Sequence, residues 1–336
     1  MRAALLTEPE QITVATVADP VCGIHEVVVR MRATGLCGTD LAMFHGARPP
    51  PRTPWILGHE GVGEIVAVGA NVVDRVVGQR VVIEPDYCCF TCPACRRGHT
   101  SSCVNRISAG INHPGVLAEH VAVPASFAWP TAEHVPLAEA VCVEPLTVAR
   151  AAVRRSGIGT GDSALVVGAG SQGLFLCRTL VALGVLPFVV EPDDERLLFA
   201  EHLGAQRLPE DVTGLDYLFD TSGAPAALGP ALGCLRDHGV AVLVGMHNQP
   251  PAVRTAELVR RQLTLIGSFI YDHPDDFATT IRLLENSQIS TCEVPRARYP
   301  LSDVQDAFSK ADGIAGKSWI EFHQDPISAA TSRPHQ

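Results

Sequence analysis

At 336 residues the chain has room for two domains of about 150 residues each, and a chain of that size buries roughly 70–75% of its unfolded surface. Apolar residues make up 46% and charged residues 18%, which excludes a disordered or highly charged chain. Lys and Arg total 26 against 36 Asp and Glu, a net charge of −10 with no basic block, so a nucleic-acid backbone finds no matching stripe. Aromatic residues are only 5% and form no run that could stack bases. The chain reads as a soluble, acidic globule.

At the N-terminus, Glu8 and Glu10 interrupt any apolar stretch long enough for an export signal, which points to the cytoplasm. The eleven cysteines are an awkward count for a disulfide scaffold; in a chain that is not exported they bind metal or fill a core. Up to about residue 130 the pattern is of short strands broken by turns. Residues 26–31, 63–69 and 80–83 are expected to be β, with Pro and Gly between them as in Arg48-Pro49-Pro50-Pro51. This half is expected to be an all-β, partly open barrel-like domain. Ala138, Val141, Leu146, Ala149 and Val153 then recur at helical spacing, predicting one helix over 136–156.

After Asp162 the texture changes. A buried strand is expected at 164–167, then a Gly-rich turn, a helix over 172–183 and a second strand at 188–190. The whole stretch 163–190 carries only Arg178 as a charge, yet strand–helix–strand accounts for it better than a bilayer span. Further strands are expected at 217–219, 240–244 and 263–266, with helices at 194–203 and 275–285. Strands alternating with helices mean a doubly wound parallel α/β sheet. The segment 205–216 holds a strand but hardly a crossover helix, so an abbreviated connection is expected. Residues 319–322 return to the first domain. The division expected is 1–145 with 291–324, then 146–290, with a polar tail at 325–336 that frays.

Gly168-Ala169-Gly170-Ser171-Gln172-Gly173 is G-x-G-x-x-G between a strand and a helix. One glycine makes the tight turn, one lets the backbone approach a pyrophosphate, and one lets helix and strand pack. The phosphates would face the free N–H groups of the helix. Glu191 ends the second strand, 18 residues after Gly173, where a carboxylate can accept both adenosine ribose hydroxyls and repel a 2′-phosphate. This favours NAD, the alternative being a phosphate contact from Arg196 and NADP.

Cys89, Cys92, Cys95 and Cys103 place four thiols within fifteen residues, 88–104 forming a lobe of its own. Four thiolates close a tetrahedral zinc site with no open position, which makes it structural; an iron–sulfur cluster is the alternative metal reading. Cys88 adjoins this set, but only Cys89 gives equal spacing.

Cys37-Gly38-Thr39-Asp40 follows one strand, and Gly58-His59-Glu60 lies about twenty residues on. A thiolate, an imidazole and a carboxylate make a zinc site with three protein ligands and a fourth position open to substrate. Glu60 and Glu144, the latter in Glu144-Pro145-Leu146, compete to supply the carboxylate. Together with the four-cysteine lobe and Gly63 and Gly69, these motifs resemble the zinc-dependent medium-chain alcohol/polyol dehydrogenases, among them sorbitol, threonine and 2,3-butanediol dehydrogenases. The similarity runs from about residue 1 to 322. It implies a GroES-like catalytic domain plus a Rossmann domain, catalysis in the cleft between them, two zinc ions per chain, exchange of Glu60 and Glu144 at the metal, and a homodimer or homotetramer.

The reaction so implied is hydride transfer between a secondary alcohol or polyol, or its ketone, and NAD, with zinc as Lewis acid. Thr39 can receive the hydroxyl proton, and Asp40 can orient the loop or a metal-bound histidine. The chain departs from many relatives at Ala42, where they carry a relay histidine; His45 is near enough to substitute. His113, Phe44, Trp55 and Tyr271 are candidate substrate walls. Against the enzyme stand two alternatives, a non-catalytic zinc- and nucleotide-binding scaffold and an NADP-using reductase of the same family. A zinc-free reductase is disfavoured by the Cys37, His59 and Glu60 set.

Overall fold

The computed structural model describes residues 1–322 apart from 248 and 292, so the tail at 325–336 lies outside the described residues. β1 (Arg2–Glu8) and β2 (Gln11–Thr16) form a hairpin. β3 (Glu26–Gly35) follows, and its Val27, Val28, Val29, Met31 and Ala33 are all buried, so both faces of this strand are covered. Next come α1 (Gly38–Phe44), β4 (Trp55–Ile56) against β1, and then β5 (Glu60–Val68) and β6 (Arg80–Ile83). The cysteine lobe comprises β7 (Asp86–Tyr87), α2 (Pro93–Arg96), a 3₁₀ turn at Thr100–Ser102 and β8 (Ile107–Ser108). β9 (His120–Pro124) and β10 (Ala128–Pro130) complete this run of strands.

The helix expected over 136–156 is two helices, α3 (Leu137–Ala140) and α4 (Val143–Ser156). Pro145 explains the break. In a continuous helix it would remove a hydrogen bond to the carbonyl of Val141 and clash with it, whereas a helix that restarts at Val143 holds Pro145 harmlessly in its first turn. Beyond it, β11 (Ala164–Val167), α5 (Ser171–Ala182), β12 (Pro187–Val190), α6 (Asp194–His202) and β13 (Gln206–Arg207) alternate as the sequence pattern requires. β14 (Leu215–Asp220), α7 (Pro225–Gly233), β15 (Leu235–Leu243), α8 (Thr255–Arg261) and β16 (Thr264–Gly267) continue the series.

Every pairing in the sheet β13-β12-β11-β14-β15-β16 is parallel. This is the doubly wound order, with its switch point between β11 and β14, where such sheets bind ligands. No helix separates β13 from β14. Leu208 and Val212 of the short connection pack instead against the cluster of Leu165, Val167 and Leu218.

α9 (Asp275–Glu285) follows, and the chain then returns through β17 (Ala297–Pro300), α10 (Val304–Ala311) and β18 (Ser318–Glu321). β18 pairs antiparallel with β3, placing the end of the chain back in the first sheet. One apolar cluster spans the junction: Ala33, Val62, Val82 and Trp319 from the first sheet join Leu146, Ala149 and Val153 of α4 and Leu174 and Phe175 of α5. Close-packed interiors transmit position faithfully, so α4 carries fixed geometry from one sheet to the other. No helix among the described residues is long and apolar enough to cross a membrane.

Candidate active site

Strand register assembles the site. Gly35 lies opposite Glu60 across β3 and β5, and opposite Trp319 across β3 and β18. Cys37 is just beyond Gly35, His59 just before Glu60, and Lys317 just before β18, so three chain segments converge. Ligand atoms of Cys37, His59 and Glu60 all lie within 4.8 Å of one another. A side chain at Gly35 would destroy this arrangement, since its Cβ would stand 2.0 Å from Glu60 Oε2.

Asp40 organises the imidazole. The first turn of α1 buries its carboxylate, which accepts the Cys37 N–H at 3.1 Å and the Gly58 N–H at 3.0 Å. His59 Nδ1 sits 3.4 Å from Asp40 Oδ1, a carboxylate placed to favour the proton on Nδ1 and the lone pair on Nε2. Burial opposes protonation of His59, but Asp40 and Cys37 together hold its pKa well above the ordinary value. Burial also works against ionisation of Asp40, and His59 and the two backbone N–H groups more than offset it.

Lys317, which no local motif singles out, is the partner of Glu60. Its ammonium lies 2.7 Å from Oε1 and 2.6 Å from Oε2, donates to the Leu36 carbonyl at 3.0 Å, and is only 1% exposed. The ammonium also sits 6.0 Å from the centre of the Phe175 ring on α5, so this lysine touches the glycine-loop helix as well as Glu60. Glu144, in the first turn of α4, is buried nearby but outside the Cys37–His59–Glu60 group. Burial pushes its pKa up to about 8, with Glu60 and Asp86 adding to the effect and His59 and Lys317 opposing it. Three buried carboxylates, Asp40, Glu60 and Glu144, therefore surround one imidazole and one ammonium. His59 matches Asp40 and Lys317 matches Glu60, so it is the donor set itself, a thiol, an imidazole and a carboxylate, that suits a divalent zinc ion.

The lobe forms a second group. Ligand atoms of Cys89, Cys92, Cys95 and Cys103 lie within 4.8 Å of one another. Cys89 Sγ accepts from the Thr91 hydroxyl and the Cys92 N–H, and these bonds pull its pKa down to about 5. Cys103 Sγ accepts the Cys89 N–H at 3.3 Å. N–H···S bonds of this kind stabilise thiolates, the form that binds metal. Cys88 stands apart, its thiol pushed up to about 11 by burial and Glu84.

The glycine loop follows β11 and opens α5. Gly170 is the N-cap and makes no side-chain cap, so Ser171 and Gln172 begin a helix whose first N–H groups are uncapped. A Cβ on Gly170 would meet nothing within 4 Å, whereas one on Gly173 would stand 1.9 Å from the Gly168 carbonyl oxygen. The middle glycine thus faces open space suited to a pyrophosphate, and the last allows close packing. Gln172 Nε2 donates to the Pro145 carbonyl at 3.3 Å, next to Glu144. Glu191 accepts the Ala169 N–H at 2.7 Å and the Asp193 N–H at 3.1 Å. The Arg196 guanidinium is engaged by the Asp312 carbonyl.

The remaining expected residues separate. Thr39 is half-buried in the first turn of α1. His45 turns to Asp312 at 2.8 Å and to Glu10 at 3.4 Å. Phe44 is a core residue against Phe308, and the buried Trp55 donates its indole N–H to the Gly110 carbonyl. His113 is exposed, with Nδ1 3.1 Å from the Pro114 carbonyl oxygen. Tyr271 is buried beside Glu144.

Two family models match the chain, "Alcohol dehydrogenase GroES-like domain" over residues 23–133 and "Zinc-binding dehydrogenase" over 173–286. A sorbitol dehydrogenase of Arabidopsis thaliana is 32% identical over 86% of this chain and 85% of its own length. The fold matches that of an alcohol dehydrogenase from Escherichia coli CFT073 solved with NADH, with a TM-score of 0.90, 26% identity and coverage of 96% and 99% of the two chains. It also matches a protein of Sinorhizobium meliloti 1021 solved with NADP, with a TM-score of 0.88, 25% identity and coverage of 95% and 98%.

Replacing Lys317 by Met strands the buried Glu60 carboxylate, and breaking a buried pair in this way costs about 3–5 kcal/mol. Urea unfolding is expected to show a loss of that size, and a loss below about 1 kcal/mol would mean that the pair contributes as little as an exposed one.

Proposed function

The chain belongs to the zinc-dependent medium-chain alcohol and polyol dehydrogenases, and from that premise we propose that it transfers a hydride between a secondary alcohol of a polyol and NAD. The reading rests above all on the Cys37, His59 and Glu60 donor atoms, gathered within 4.8 Å of one another. Two zinc ions per chain are proposed: one at Cys37, His59 and a carboxylate from Glu60 or Glu144, the other at Cys89, Cys92, Cys95 and Cys103. The catalytic domain is taken as 1–145 with 291–324 and the cofactor domain as 146–290. The enzyme is read as a cytoplasmic homodimer or homotetramer.

Zinc supplies Lewis acidity toward the substrate hydroxyl, and the dinucleotide supplies the hydride-accepting carbon. The protein's own groups bind, orient and move the proton. Asp40 keeps a proton on His59 Nδ1, so Nε2 stays a lone-pair donor. Thr39 takes the proton released by the alcohol and hands it toward solvent. Lys317 balances the Glu60 charge and shares that carboxylate with the ligand group. The uncapped start of α5 holds the pyrophosphate through its N–H groups. Gly168, Gly170 and Gly173 keep backbone and phosphate close, with Ser171 and Gln172 forming the first turn.

The preference for NAD is argued from charge. A 2′-phosphate on the adenosine ribose would meet Glu191 and the neighbouring Asp193 and Asp194, while the Arg196 guanidinium is turned to the Asp312 carbonyl. A polyol substrate is proposed from the likeness to the Arabidopsis sorbitol dehydrogenase.

Cys37→Ala is expected to abolish alcohol oxidation while leaving dinucleotide binding and the circular dichroism spectrum unchanged; full turnover in this variant would refute the site. Glu191→Ala is expected to narrow the preference for NAD over NADP in kcat/KM by about tenfold or more, the worth of one charged contact. An unchanged ratio would remove Glu191 from cofactor selection.

A further inference from the structure

Residues 268–274 run from the end of β16 along the junction of the two domains, and they are gripped from both sides. From α4, Arg155 donates to the Ser268 hydroxyl, to the carbonyls of Phe269 and Ile270, and to Asp272. The opposite grip comes from the first domain, chiefly its cysteine lobe. The His273 N–H donates to the Thr100 hydroxyl at 2.7 Å, that hydroxyl lies 3.4 Å from the His273 carbonyl oxygen, and the Ser101 N–H donates to Asp272 at 3.0 Å. Phe90 meets the His273 ring at 5.3 Å, and the Arg106 guanidinium lies 4.9 Å from the centre of the Phe269 ring. Outside the lobe, Glu84 Oε2 is shared by His273 Nδ1 at 2.8 Å and the Trp129 indole N–H at 2.6 Å.

The lobe's gripping residues are interleaved with its cysteines. Phe90 lies between Cys89 and Cys92, and Thr100 and Ser101 lie between Cys95 and Cys103. Whatever fixes the four sulfurs fixes these contacts too. Between the two grips stands Tyr271, 2% exposed, with its buried hydroxyl facing the Glu144 carboxylate but short of a well-formed hydrogen bond to it.

We propose that the four-cysteine lobe clamps the 268–274 segment, and that Thr100 is a positioning residue that sets the Tyr271 hydroxyl against Glu144 at the reactive cleft. The lobe then acts across the domain junction and is more than a local staple. This inference rests on the reading of Cys37, His59 and Glu60 as the reactive centre.

The full-length protein tests it through Thr100→Val, Thr100→Ser, Tyr271→Phe and the Thr100→Val/Tyr271→Phe pair. The first readout is amide hydrogen exchange, which needs no activity. Thr100→Val is expected to speed exchange in 268–274 about tenfold, the worth of one lost buried hydrogen bond, with peptides covering 37–60 unchanged and Thr100→Ser close to the parent. In steady-state kinetics Thr100→Val is expected to raise KM for the alcohol about fivefold while KM for NAD stays constant. In the Tyr271→Phe background the same change should add less than about twofold, because what Thr100 places is the Tyr271 hydroxyl beside Glu144, which Phe lacks. Unchanged exchange in 268–274, equal losses for alcohol and NAD, or fully multiplicative effects of the two substitutions would each overturn the proposal. A parent protein with no metal at Cys37 or no dehydrogenase activity would sink the functional reading instead, while the exchange comparison still decides the clamp.

Discussion

The pairing register of β3 is the constraint on which the site depends. With Gly35 opposite both Glu60 and Trp319, the thiol of Cys37, the imidazole of His59, the carboxylate of Glu60 and the ammonium of Lys317 arrive at one place from three distant stretches of chain. A slip of one residue would turn every side chain of the strand to the other face of the sheet and scatter the set. Burial of Val27, Val28, Val29, Met31 and Ala33 makes such a slip expensive, so the apolar core of the first domain also maintains the geometry of the polar site.

Charge accounts for the next layer. Asp40, Glu60 and Glu144 are buried close together, and each is managed differently. Asp40 is held ionised by backbone N–H groups and His59, Glu60 is matched by Lys317, and Glu144 is left with a raised pKa. A buried acid whose pKa is pushed toward neutrality, near an imidazole and an ammonium, is the environment expected of a functional centre. The junction of the two sheets keeps this centre near the glycine loop, since α4 carries Glu144 and Pro145 in its first turn and Gln172 of α5 reaches the Pro145 carbonyl.

Much of this was legible in the sequence because the relevant signals are local. The glycine loop between β11 and α5, the four cysteines within fifteen residues and the motifs around Cys37 and His59 are each contained in a short stretch of chain. The short connection after β13 was legible too, because 205–216 had no length for a helix. Lys317 was not, because its partner Glu60 lies 257 residues away and no spacing rule links them. The same holds for Thr100 with His273. Aromatic residues near the motifs misled: Phe44 and Trp55 read as possible substrate walls, yet one fills the core against Phe308 and the other spends its N–H on Gly110. His45 read as a possible relay, but nearby acids on other elements, Glu10 and Asp312, take it. The break before α4 was visible in principle at Pro145, whose effect on a helix outweighs the apolar spacing that crossed it.

The proposed chemistry stands or falls with a zinc ion at Cys37 and His59. Diffraction data from crystals grown with zinc, collected on either side of the zinc absorption edge, test this most directly. The account predicts two anomalous peaks per chain, one among the four lobe sulfurs and one bonded to Cys37 Sγ and His59 Nε2. A single peak in the lobe, with the Cys37 thiol and the His59 imidazole turned to other partners, would contradict it.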